Sequence, residues 1–158
     1  MVAAATSVPG QQHAPSADEL RSVYCVEVMR AEIDVQHHLI SAADAAAASA
    51  ATPALRQQWI DTSAELLQGL ASLELVRYRL QTYMLPRIPA LEPAALATAM
   101  RQGATDFEDS RAVADRCAVE CNPQQSLGAQ ALACSASCGN ESALGRVSAC
   151  YKPAWIPQ

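Results

Sequence analysis

A chain of 158 residues is long enough to form one domain with a substantial hydrophobic core. Hydrophobic residues make up 51% of it but aromatic residues only 4%, so alanine and leucine dominate and helix is favoured over strand. The net charge of −5, with no basic stretch, argues against nucleic acid as the main partner. No apolar run approaches the ~18 residues that a membrane span needs.

The first fifteen residues are polar, include two prolines and show no periodicity, so residues 1–15 are predicted to be a disordered leader. They lack the basic and apolar regions of an intact signal peptide and resemble the start of a mature exported protein; a cytosolic protein with a disordered leader would have the same pattern. A helical domain over residues 16–150 follows. Ser16 and Glu19 form a capping-box pattern, which predicts a first helix from there to about residue 51. Its apolar residues recur every three or four positions and are Leu20, Tyr24, Val28, Ala31, Val35, Leu39 and Ala42.

Two more long helices are predicted. Thr52 and Pro53 have the residue types preferred at a helix N-cap and first position, and Pro86 ends the helix that they open. Residues 86–92 form a stiff, proline-rich connection, and a third helix runs from about Pro93 to Asn122. The residues predicted to be buried include Trp59, Leu66, Leu70, Leu73, Leu80 and Met84 on the second helix. On the third they include Leu96, Met100, Gly103, Phe107, Ser110 and Ala114.

A short fourth helix is predicted from about residue 128 to Gly139, and a further turn or short helix over residues 141–150. The fold predicted from these elements is all-α. It is an antiparallel helical bundle of three long helices plus a short C-terminal helix, stapled by disulfides.

Four of the six cysteines form two CxxxC pairs, Cys117/Cys121 and Cys134/Cys138. A spacing of four places both thiols of a pair on one face of a helix. In an antiparallel hairpin the first thiol of one helix is level with the last thiol of the other, which predicts the disulfides Cys117–Cys138 and Cys121–Cys134. Cys25 and Cys150 then remain to form the third.

The spacing over residues 117–138 resembles the twin CxxxC motif of the small chaperones of the mitochondrial intermembrane space. That resemblance implies a protein that binds apolar segments, but those chaperones are much shorter and lack the two long helices. A helical hairpin with two disulfides would produce the same spacing independently.

The alternative to disulfides is a metal site. Four thiolates on facing helices, with Met100 on the same helix face, suit Cu(I), and thiolates also bind Zn(II). The CxxxC spacing is longer than the CxxC typical of structural zinc sites, so the disulfides are preferred and no metal or other cofactor is predicted. Asp34 and His37 have the spacing of a di-iron ligand pair. No second copy of that pair exists, so we expect a solvated face with contacts from Asp34 to Arg30 and His38.

No nucleophile–base pair, phosphate-binding loop or haem motif is present, so the chain is not predicted to be an enzyme. The carboxylates Glu65, Glu74, Asp106, Glu108 and Asp109 are expected on the surface. Residues 151–158 form an extended tail whose Tyr151, Trp155 and Ile156 are candidate partner-binding residues, unless the tail docks on its own bundle.

The function predicted from the sequence is a non-enzymatic binding or assembly protein with a protein partner, exported to the periplasm or secreted from a bacterium. The alternatives are a periplasmic thiol/thioether metal binder and a cytosolic helical adaptor with reduced cysteines.

Overall fold

The computed structural model describes residues 12–120 and 142–151, apart from the side chains of residues 117–120, 142 and 144. Three long helices, α1 (Ala17–Ser49), α2 (Pro53–Met84) and α3 (Pro93–Glu120), are followed by a short C-terminal helix, α4 (Ser142–Ala149). A single 3₁₀ turn, Ile88–Ala90, lies between α2 and α3. The predicted all-α bundle is therefore confirmed, while the short helix predicted over residues 128–139 lies outside the described residues.

Local hydrogen bonds set the starts of the first two helices where the sequence predicts them. The Ser16 and Glu19 backbone amides each donate to the other residue's side chain, at 2.8 Å and 3.3 Å. The Thr52 hydroxyl accepts from the Leu55 amide at 3.2 Å. Each bond satisfies an amide that has no partner within its helix, so these boundaries depend on neighbouring residues alone.

Helix α1 is central and packs along both α2 and α3. α2 runs antiparallel to it: the Ser63 hydroxyl donates to Asp44 at 2.8 Å near the hairpin turn, and Met84 packs with Val23 at the other end. α3 returns alongside α1, and α4 packs on α3. The larger core cluster joins all four helices and consists of Cys25, Val28, Met29, Leu80, Phe107, Val147 and Cys150.

The predicted core is only partly confirmed. Leu70, Leu80 and Phe107 are buried, whereas Trp59, Leu66 and Leu73 are half-buried. Leu39 and Ala42 were expected on the buried face of α1 but are exposed, because the face that meets α2 there carries Ala43 and Ala47 instead. Met100 and Ala114 were expected on the buried face of α3 and are also exposed.

The end of the leader is attached to the bundle. The His13 amide donates to the Ala90 carbonyl at 3.0 Å, and the Glu92 amide donates to the His13 carbonyl at 3.1 Å. The leader was predicted to be disordered, but these two bonds fix its last residues on the connection between α2 and α3. Residues 1–11 lie outside the described part of the chain.

A disulfide joins Cys25 on α1 to Cys150 at the end of α4, as the sequence predicts. The two cysteines are 125 residues apart in the chain, and both are buried in the larger core cluster. The bond fixes the short C-terminal helix to the central helix. Across the described ranges, the helices are too short or too polar to cross a membrane.

Candidate interaction surface

Helix α2 carries a second apolar face that the described residues of the bundle leave exposed. Five large side chains on this face are each between 47% and 73% exposed. Together with three smaller exposed residues they recur at steps of three and four, which places all of them on one line along the helix. We call this line the α2 stripe; its members are Ile60, Ala64, Leu67, Ala71, Leu75, Tyr78 and Thr82 on α2 and Leu85, the C-cap residue that follows it. Single exposed apolar residues need no explanation, whereas a continuous row of them makes this face a candidate interaction surface.

Charges on one edge of the α2 stripe are segregated along the helix. Asp61 and Glu65 lie one turn apart near its N-terminal end, and Arg79 lies on the same edge about five turns after Asp61. All three are exposed. The Asp61 carboxylate accepts a hydrogen bond from Gln57 at 2.8 Å, and neither Glu65 nor Arg79 forms an ion pair with another described residue. This edge is therefore acidic at one end and basic at the other.

At its C-terminal end the α2 stripe opens into an apolar groove of about 470 Å³. The groove lies between α2, the first part of α1 and the start of α3. Its lining includes Val23 and Val26 from α1, Tyr78 and Leu85 from the stripe, and Met100 from α3. Met100 thus belongs to this surface and not to the buried face on which the sequence places it.

A buried carboxylate holds α4 in place. Asp106 on α3 is 1% exposed, so the expectation that it lies on the surface is wrong. Its carboxylate accepts hydrogen bonds from the Tyr24 hydroxyl at 2.9 Å, the Gln102 amide at 2.8 Å and the Arg146 guanidinium, which donates to both oxygens. Four donors compensate for the loss of hydration that burial would otherwise impose.

These contacts also set the protonation states of the cluster. The hydrogen bonds from Arg146 hold the pKa of the Asp106 carboxyl below its usual value, and burial together with the bond to Asp106 raises the pKa of the Tyr24 hydroxyl. Both oxygens of the carboxylate are already engaged by the protein's own donors. The cluster is therefore suited to joining α1, α3 and α4, and poorly suited to accepting a proton from a substrate.

The predicted partner-binding residues are only partly described. Tyr151 is 40% exposed, and its side chain lines a small cavity with Glu32, Phe107 and Val147, so it rests partly on its own bundle. Trp155 and Ile156 lie outside the described residues.

Two of the predicted disulfides, Cys117–Cys138 and Cys121–Cys134, also involve side chains that lie outside the described residues. The same is true of the metal site that is their alternative. Among the described residues, no three His, Cys, Asp or Glu side chains are close enough together to hold a metal ion. Asp34 pairs with Arg30 at 3.8 Å, and its backbone carbonyl lies 2.7 Å from His38 Nδ1. The expected contacts of this polar face are thus present, although His38 meets the backbone of Asp34 and not its carboxylate.

The sequence contained a signal for the α2 stripe, because its spacing is the same three-and-four pattern that identifies a buried face. The stripe lies one position after the buried residues Ser63, Leu70 and Met84. A helix with two apolar faces does not reveal which of them meets the rest of the chain.

Comparisons of the chain with family models, with curated proteins and with solved structures find no match.

Proposed function

We propose that this protein is a non-enzymatic, disulfide-stabilised helical binding or assembly protein, which uses the α2 stripe and the adjoining groove to contact a protein partner. The observation that carries the proposal is the exposure of Ile60, Leu67, Leu75 and Tyr78 along α2 and of Leu85 at its C-cap. Covering these side chains removes apolar area from water at a gain of about 25 cal/mol per Å². Rigid helix faces of this kind are commonly used to bind another helix.

The chemistry of the buried cluster supports a non-enzymatic role. Asp106 is the buried carboxylate with the most hydrogen bonds among the described residues, and its donors come from three different helices. The burial of Asp106 is therefore explained by its structural role, which is to join these helices. The exposed apolar side chains, by contrast, are not covered by any of the described parts of the bundle.

Site-specific photocrosslinking in the protein's native host tests this proposal. A photoreactive amino acid at position 85 lies on the apolar surface, and the same amino acid at position 58 is a matched control on an exposed polar position of α2. We expect a crosslinked product containing a second polypeptide from position 85 and little from position 58. Equal yields from the two positions, or no product from either, would contradict the proposal.

The Cys25–Cys150 disulfide supports placing this function outside the reducing cytosol, in the periplasm or the secreted space. Free thiols can be counted on unfolded, unreduced protein purified from the native host. We expect none of the six cysteines to react. Four or six reactive thiols together with bound copper or zinc would favour the metal-binding alternative, and six reactive thiols without metal would favour a cytosolic adaptor.

A further inference from the structure

We infer that the α2 stripe binds the α2 stripe of a second copy of this chain, in an antiparallel pair with Ala71 at the two-fold axis. This inference rests on the proposed function, since it names the partner that covers the same surface.

In this register the side chains of the stripe fit one another. Ala71 meets Ala71 at the axis, where two small residues let the helices approach closely. Moving outward, Leu67 is level with Leu75 of the second copy, which brings two leucines together. Ala64 is level with Tyr78, so there a small side chain lies opposite a large one. Ile60 is level with Thr82, and the contact extends over about 33 Å of helix. Steps of three and four are the spacing from which paired helices are built.

The charges fit the same register. A two-fold axis perpendicular to the helices brings the same edge of each stripe together, with the chains running in opposite directions. Arg79 is then level with position 63 of the second copy, midway between Asp61 and Glu65. Each guanidinium meets two carboxylates, and symmetry makes this contact twice. A parallel pair would instead place this edge against the opposite edge of the stripe, so the complementarity favours the antiparallel arrangement.

Sedimentation equilibrium on the purified, disulfide-intact full chain tests the inference. We expect a reversible association between a monomer of 16.7 kDa and a species of twice that mass. Ala71→Glu places two carboxylates at the axis and should weaken the association by about tenfold or more. Gln58→Glu adds the same charge at an exposed position away from the stripe and should leave it unchanged. Unfolding curves should show that both variants retain the stability of the folded monomer, since both positions are exposed.

A charge exchange tests the orientation. Arg79→Glu in one preparation and Asp61→Arg/Glu65→Arg in another each place like charges together, so each preparation alone should associate at least tenfold more weakly. Mixing the two should produce a heterodimer, because one of its two charge contacts is then restored with the signs exchanged and the other is the wild-type contact. A mixture that stays monomeric would overturn the antiparallel register.

A wild-type chain that is monomeric at every concentration, or an association insensitive to Ala71→Glu, would overturn the inference altogether. The proposed function would survive that result if position 85 still crosslinked to a different protein in the native host. It would fail separately if the crosslinks were absent there as well.

Discussion

The backbone carbonyl oxygen of Tyr24 lies 2.6 Å from the point that a Cβ atom on Gly103 would occupy. Gly103 is buried in the middle of α3, where α3 crosses α1. A methyl group at this point would overlap a backbone atom, which has no rotamer to adopt in response. The absence of a side chain at position 103 therefore determines how closely the two helices pack.

We predict that Gly103→Ala destabilises the protein, although alanine is the better helix former by about 1 kcal/mol. Relief of the overlap requires α1 and α3 to separate, and overpacking of this kind costs about 1–3 kcal/mol. Gly69→Ala on α2 is the matched control, because nothing lies within 4 Å of its added methyl group. It should stabilise the fold by about 0.5–1 kcal/mol. Chemical denaturation should show that the free energy of unfolding falls for Gly103→Ala and rises for Gly69→Ala. A Gly103→Ala variant more stable than wild type would contradict the close crossing of α1 and α3.

The Asp106 cluster predicts a specific loss of stability in acid. Because the folded-state pKa of Asp106 is lowered, the unfolded chain binds a proton first as the pH falls. The contribution of this carboxylate is therefore complete above its unfolded pKa of about 4 and is lost as the pH falls through the folded value.

Asp106→Asn should remove that part of the pH dependence. It should also cost about 1–3 kcal/mol at neutral pH, since an amide cannot accept hydrogen bonds at both of its terminal atoms. Denaturation curves between neutral pH and pH values below about 4 measure both effects. Asp109→Asn changes an exposed position of the same helix and is the control. Its free energy of unfolding should depend on pH as that of the wild type does. Parallel pH profiles for wild type and Asp106→Asn would show that the cluster does not act in this way.

Local signals and long-range contacts differ in how well the sequence predicts them. The starts of α1 and α2 were predictable because Ser16 and Thr52 bond to amides only three residues away. The burial of Asp106 was not, because the guanidinium that compensates it comes from Arg146, forty residues later in the chain. Cys25 and Cys150 are farther apart still, but they were paired because the other four cysteines fall into two sets of helical spacing.

The apolar faces show a second limit of the sequence. α2 has two lines of apolar residues with the same three-and-four spacing, so periodicity alone does not show which line is buried. Leu70 and Leu80 are buried and Leu67 is exposed only because α1 lies on one side of the helix. Met100 is a further example: it has the spacing of a core residue but lies in the groove.

Core substitutions should distinguish the two faces. Leu80 is completely buried, so Leu80→Ala should destabilise the fold by about 2–5 kcal/mol through lost burial and the cavity that remains. Leu39 on α1 is 47% exposed, and Leu39→Ala should change the stability by less than about 0.5 kcal/mol. Urea denaturation of both variants checks the difference. Similar losses for the two would place Leu39 in the core, as its spacing suggests.

The Cys25–Cys150 disulfide should stabilise the protein mainly by restricting the unfolded chain. Closing a loop of 125 residues has a large entropic effect on that chain, and removing such a link commonly costs about 2–5 kcal/mol. The double variant Cys25→Ala/Cys150→Ala should lose about this much while retaining its helical circular dichroism spectrum. Its unfolded state should also expose more surface, so the denaturant m-value should rise as the stability falls. Because both cysteines are buried in the core, a simple packing defect would lower the stability without raising the m-value. An unchanged m-value would therefore show that the bond acts through packing and not through the unfolded chain.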